Sequence, residues 1–266
     1  MLIPILSLFL AATPVTIPNS EIHTLASKHN GINYKIYVGL PNGYAEGERK
    51  YGVVYTLDAD YSFAIARNVV EHLADRDLLE PLIVVSVAYD GPPQYRLNRT
   101  RDYTPTHSPT GGYGPEMQKH SGGGVKFRQF LTEELVPFID RTYRTDKTKR
   151  ALVGHSYGGL FTTWVMLTTG TSVFNRYVIV SPSYWYDDEM IFDVAKASKP
   201  GGRVYISAGA LENPVMGRDV RRLARILRNP ARAGLALRDE VLDNETHNSI
   251  FPSAFSRGLR FVFEGR

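Results

Sequence analysis

A serine set between glycines, a histidine far downstream and a carboxylate between them are the parts from which covalent ester chemistry is built. Residues Gly154-His155-Ser156-Tyr157-Gly158 fit the pattern G-x-S-x-G. An alkyl hydroxyl is a weak nucleophile near neutral pH and needs a positioned base to take its proton. The seven histidines are His23, His29, His72, His107, His120, His155 and His247, and only His247 follows Ser156. A third group would fix the imidazole tautomer and stabilise the imidazolium formed during reaction. Glu212, just beyond the strand-like run Arg203–Ala208, is the leading candidate. Asp187, Asp188, Asp243 and Glu245 are its competitors, and a Ser–His dyad would need none of them.

The chemistry makes demands on local structure. The nucleophile must sit on a sharp strand-to-helix turn, where glycines at 154 and 158 avoid collisions with neighbouring chain. Such a turn also aims the Tyr157 backbone N–H and the positive end of the following helix at a developing oxyanion. The flanks agree: Arg150–Val153 reads as a strand and Gly158–Thr168 as a helix.

The same alternation extends along the chain. Glu21–Ser27, Tyr34–Leu40, Tyr51–Leu57, Leu82–Ala88, Arg176–Val180, Arg203–Ala208 and Leu235–Leu242 read as strands. Helical patterns cover Ser62–Asp77, Val125–Tyr143 with a kink near Pro137, Arg218–Leu227 and Ser249–Phe263. Strands alternating with helices predict an α/β fold with a mostly parallel, helix-covered sheet. No change of composition divides residues 13–266, so a single catalytic domain is expected. The exception is the irregular stretch at about 90–124, rich in Gly, Pro, Tyr and Arg, which reads as a structureless lid beside the site.

Composition removes other chemistries. The chain has 266 residues and no cysteine, which excludes a disulfide framework, a Cys-ligated metal and a thiol nucleophile. No histidine pair has HExxH spacing, so no metal and no other cofactor is expected. Gly122-Gly123-Gly124-Val125-Lys126 lacks the ending of a phosphate loop. The net charge of +4 is mild, and the arginines at 218, 221, 222, 225 and 228 read as a solvated helix face, so no nucleic-acid partner is expected. Residues 1–12 read as a short signal-peptide core or an apolar arm, too short to span a bilayer. That start favours a periplasmic or secreted enzyme without stable membrane insertion, and leaves a cytoplasmic one open.

Four segments carry a resemblance. Tyr-Thr-Leu-Asp-Ala-Asp-Tyr-Ser-Phe at 55–63, Arg-Thr-Arg-Asp-Tyr-Thr-Pro-Thr at 99–106, Ser-Pro-Ser-Tyr-Trp-Tyr-Asp-Asp at 181–188 and the histidine segment at 245–261 accompany the serine motif. Over roughly 21–263 the chain resembles the esterase family of α/β-hydrolases that includes siderophore esterases, feruloyl esterases, S-formylglutathione hydrolase and the antigen 85 mycolyltransferases, with its strongest similarity to the siderophore-esterase-like branch. The resemblance implies an α/β-hydrolase fold and a second oxyanion N–H from Asp60, with Ala59 the neighbouring alternative. Ala59 stands where that family usually has glycine. It also implies that Glu212, placed after Gly209, is the acid, that Trp185 lines the acyl or aryl pocket, and that Arg101 and Arg99 face the substrate.

The expected activity is therefore that of a serine carboxylesterase acting on a small-molecule ester through an acyl-enzyme. The arginine- and tyrosine-rich lid suggests an anionic or aromatic ester. Two alternatives share the scaffold: an acyltransferase of the same mechanism and a catalytically silent binding protein.

Overall fold

The structure, a computed structural model, describes residues 13–171, 173–228 and 234–264. The apolar start at 1–12 lies outside the described residues. Strands β1 (Ser20–Ala26), β2 (Asn33–Gly39), β3 (Tyr51–Thr56), β4 (Leu82–Tyr89), β5 (Thr145–His155), β6 (Arg176–Val180), β7 (Gly202–Gly209) and β8 (Leu235–Leu242) form one eight-stranded sheet. Its order is β1-β2-β4-β3-β5-β6-β7-β8. β1 and β2 pair antiparallel, as do β2 and β4, and every later pairing is parallel. The mostly parallel sheet read from the sequence is present.

Period-two alternation sends the strand residues to two separate cores. Val53, Tyr55, Ile83, Val85 and Leu152 join one cluster, while Val54, Leu82, Val84, Ala151 and Val153 join the other. Helices α1 (Ala59–Ala74) and α9 (Ile250–Phe263) cover the second face. Along α9, Ile250, Phe251, Ala254, Phe255, Leu259 and Val262 repeat at helical spacing and are buried. Each large apolar side chain among them contributes about 1.5–3 kcal/mol by leaving water. The opposite face carries α4 (Gly124–Gln129), α5 (Val136–Thr142), α6 (Tyr157–Thr169), α7 (Ile191–Ala197) and α8 (Pro214–Leu227). Residues Tyr157–Leu167 of α6 are buried all round, which explains its lack of an amphipathic stripe.

Three features depart from the sequence reading. The stretch at 90–124 is not structureless, because it holds α2 (Tyr95–Tyr103) and the short α3 (Pro115–Gln118). Asn98, Arg99, Thr100 and Asp102 of α2 are buried through polar pairing, so apolar periodicity had no signal to show there. The helix over Val125–Tyr143 accommodates Pro137 by a π-helical turn, Phe130–Leu135, between α4 and α5. Proline cannot donate to the carbonyl four residues back, and a widened turn just upstream absorbs the mismatch. The segment α7 was not anticipated either, since its seven residues fall below the length at which helical periodicity is readable.

Candidate active site

Five turns converge at the carboxyl ends of the parallel strands, where α/β sheets place their sites. They follow β3, β5, β6, β7 and β8, and carry Asp58, Ser156, Ser183 with Trp185, Glu212 and His247. Tyr95, Arg99, Gly112, Tyr113, His155, Ser156, Tyr157, Ser183, Trp185, His247 and Asn248 together line a cleft of about 370 Å³.

Ser156 sits at φ 61, ψ −119, a conformation that costs a non-glycine residue on the order of 1–3 kcal/mol. The surrounding chain over-determines it. Its N–H donates to the Val180 carbonyl at 3.0 Å, and its own carbonyl accepts from Ser183 N–H at 3.1 Å. The two glycines are not equivalent. A Cβ on Gly154 would come within 2.5 Å of Thr162 Oγ1 and still closer to the Gly158 carbonyl, so only glycine fits. A Cβ on Gly158 would meet Leu57 Cδ1 at 3.3 Å, a tight contact rather than the collision expected.

Glu212 is the carboxylate that the fold brings to His247, with Oε2 at 2.7 Å from Nδ1. Its Oε1 accepts from Ser181 Oγ at 2.5 Å and from the Gly209 N–H at 2.6 Å. Burial alone would raise its pKa, but the donors from His247, Ser181 and Gly209 hold it below the ordinary carboxylate range. The competing carboxylates lie elsewhere. Asp187 accepts from Thr106 at 2.5 Å, Glu245 accepts from Ser249 and Ser253, and Asp188 and Asp243 are exposed. Since Nδ1 faces the carboxylate, Nε2 of His247 is the nitrogen free to serve the cleft. No Ser156–His247 hydrogen bond is present among the described residues, and Ser156 Oγ instead has Ser183 Oγ at 3.3 Å. Catalytic hydrogen bonds are often long before substrate binds.

Tyr157 opens α6, so its N–H has no acceptor within the helix. Asp60 is the second residue of α1, exposed, and does not line the cleft. Trp185 does line it, 38% exposed, with its ring 5.9 Å from that of Tyr157. The two arginines expected to face the substrate are placed differently. Arg101 is turned away from the cleft lining, its guanidinium held by Asp102 at 2.8 and 2.9 Å and by Asn98 at 3.1 Å. Arg99 borders the cleft but is only 2% exposed, paired with both oxygens of Asp58 at 2.8 and 3.2 Å. Burial opposes the Arg99 charge, yet Asp58 more than offsets it and keeps the guanidinium pKa well above its ordinary value. Among the described residues no group of three or more His, Asp or Glu side chains could hold a metal.

Several site residues escaped the sequence reading. Ser181 and Ser183 lay in a segment noted for its tryptophan and its two aspartates, and Tyr95 and Tyr113 in the stretch read as a lid. His155 was visible only as the variable position of the serine motif. Its Nε2 lies 2.8 Å from the His247 carbonyl, so that nitrogen must carry the proton. Burial, then the neighbouring His247 and Arg99, push the imidazole down to about 3. The folded ring is therefore neutral where the unfolded one, at 6.5, would bind a proton. Between those two values the unfolded state holds more protons, so stability falls as pH falls. From pH 7 to 5 this residue should cost the wild type about 2 kcal/mol. His155→Gln should flatten the pH dependence by that amount, read from urea midpoints at the two pH values. Equal dependence in both proteins would show the ring to be ordinary.

The sheet order, the strained serine after β5, the carboxylate after β7 and the histidine after β8 define an α/β-hydrolase fold. Residues 27–251 match the family model described as "Putative esterase", and the chain belongs to that family, which makes it an ester hydrolase. It falls in the siderophore-esterase-like branch. It is 29% identical over 264 residues to the ferri-bacillibactin esterase BesA of Bacillus subtilis, covering 93% of this chain and 90% of that protein. Among solved structures it is similar to the BES protein from Bacillus cereus, with TM-score 0.84 and 27% identity, covering 96% of this chain and all of that one. It is also similar to an IroE-like serine hydrolase from Shewanella oneidensis, with TM-score 0.80 and 25% identity over 92% of this chain and 80% of that one.

Proposed function

We propose that the protein hydrolyses carboxylic ester bonds of a siderophore, an aryl-bearing iron chelator, through an acyl-enzyme on Ser156. The observation that carries the mechanism is the 2.7 Å contact between Glu212 Oε2 and His247 Nδ1 in loops bordering the cleft that holds Ser156. His247 Nε2 takes the hydroxyl proton as Ser156 Oγ attacks the ester carbonyl. The resulting oxyanion is held by the Tyr157 N–H, with a second N–H from the start of α1. Collapse of the intermediate returns the proton to the leaving alkoxide and frees the alcohol. Water then repeats the sequence against the acyl-enzyme, releasing the acid and restoring Ser156. Glu212 fixes the tautomer and steadies the imidazolium in both halves.

The substrate class is supported by the named relatives and by the walls of the cleft. Tyr95, Tyr113 and Trp185 offer ring surface, and aromatic pairs gain about 0.5–1.5 kcal/mol beyond simple burial. The test is a panel of a ferric catecholate trilactone, a feruloyl ester and p-nitrophenyl butyrate. The lactone should show the highest kcat/KM. A higher value for either of the others would move the substrate class, and acyl transfer to an added alcohol in preference to water would make the protein a transferase.

A further inference from the structure

Outside the Ser156, His247 and Glu212 set, two residues join three of the five turns that meet at the cleft. Arg99 comes from α2, and its guanidinium reaches in three directions, the first through Nη1 to the Tyr113 hydroxyl at 2.6 Å. Nε and Nη2 hold both oxygens of Asp58, the left-handed residue (φ 59, ψ 52) at the turn between β3 and α1. Nη2 also donates to the carbonyl of His155 at 3.1 Å, inside the nucleophile turn. Residue 155 then continues the chain through its side chain, whose Nε2–H donates to the His247 carbonyl at 2.8 Å. The two imidazole rings lie 4.6 Å apart between centroids, with Phe251 and Tyr61 closing over His155 edge-on.

We propose that Arg99 and His155 are positioning residues, and that the chain Asp58–Arg99–His155–His247 holds the turns after β3, β5 and β8 in a single register. The geometry gives each link a reason. Asp58 and Arg99 are 1% and 2% exposed at their side chains, so either alone would be a costly buried charge. A pair would satisfy both, but the guanidinium has three hydrogens left over, of which Nη2 directs one at the elbow backbone and Nη1 gives one to Tyr113. Glu212 fixes only the ring of His247, whereas His155 fixes the backbone from which that ring hangs. Two-point attachment defines the direction of Nε2 as well as its distance, and a misplacement of about 1 Å can cost on the order of 10²-fold in rate. A ring that stays neutral also adds no charge beside an imidazole that must become cationic. The motif leaves position 155 open in type, so the residue is available for this task.

The kinetic arm rests on the esterase reading, and a second arm does not. His155→Leu keeps bulk and removes the N–H, while the side-chain amide of His155→Gln can still donate. On p-nitrophenyl butyrate, His155→Leu should lower kcat by about 10- to 100-fold with KM within about twofold, and His155→Gln should stay within about threefold of wild type. Arg99→Lys, which keeps the charge but loses the fork, should lower kcat as well. Combined with His155→Leu it should lose little more than the worse single variant, as two links of one chain would. Hydrogen exchange reads the same idea without turnover: the amides of residues 245–249 should exchange faster in His155→Leu and not in His155→Gln. Unchanged exchange in His155→Leu, equal damage from Leu and Gln, or fully multiplicative losses would each overturn the proposal. A wild type without turnover would sink the esterase reading alone, and exchange would then decide this one.

Discussion

Replacing Ser156 with alanine should lower turnover on any ester substrate by on the order of 10⁴–10⁶ while leaving the protein folded. The loss follows from the nature of the step. No other alkyl hydroxyl occupies the turn, and Ser183 Oγ, 3.3 Å away, belongs to a different loop. Alanine meets the same left-handed cost as serine and gives up only that one long hydrogen bond, so urea midpoints should barely move. The residual rate should come from cleft binding and the Tyr157 N–H. His247→Ala should fall into the same range, and the double variant should be no worse than either single, because the two act in one step. Turnover by Ser156→Ala at the wild-type rate would end the acyl-enzyme mechanism.

The parts of this site that sequence exposed are those whose chemistry forces a local pattern. The elbow was readable because Gly154 tolerates no Cβ and the strand and helix around it are strongly apolar. His247 followed from chain order, and Glu212 from its position past the end of a strand. Arg99 and Arg101 show the limit. One-dimensional sequence displays charge but not partner: both arginines were assigned to the substrate, and both are paired with buried carboxylates, Arg99 with Asp58 at the border of the cleft and Arg101 with Asp102 away from it. The same blindness hid α2, whose inward residues are polar and carry no hydrophobic period. Two-sided strands such as β4 were legible because near-continuous apolar runs are what burial on both faces demands. Pairings between distant polar groups leave no such local mark.

Glu212→Gln should cost on the order of 10²–10⁴ in kcat, far more than Asp187→Asn or Asp243→Asn. The wild-type carboxylate accepts from three donors at once: Ser181 Oγ, the Gly209 N–H and His247 Nδ1. An amide has one oxygen and one NH₂, so it cannot satisfy all three. If its NH₂ turns toward His247, Nδ1 must become the acceptor and Nε2 carries the proton. The ring is then in the wrong tautomer to receive the Ser156 hydrogen. If the oxygen faces His247 instead, the NH₂ opposes the Gly209 N–H and the partly buried acid loop is pushed outward. Either arrangement also removes the negative charge that steadies the imidazolium, a charge the wild type keeps well into the acid range because its donors lower the Glu212 pKa. Asp187 is tied to Thr106 and Asp243 is exposed, so neutralising them touches neither nitrogen of His247. Glu212→Asp offers a finer test: it keeps the charge but shortens the reach, and should fall between wild type and Glu212→Gln. A Glu212→Gln enzyme with wild-type kcat would leave Ser156 and His247 working as a dyad, with the carboxylate serving only to close the loop after β7.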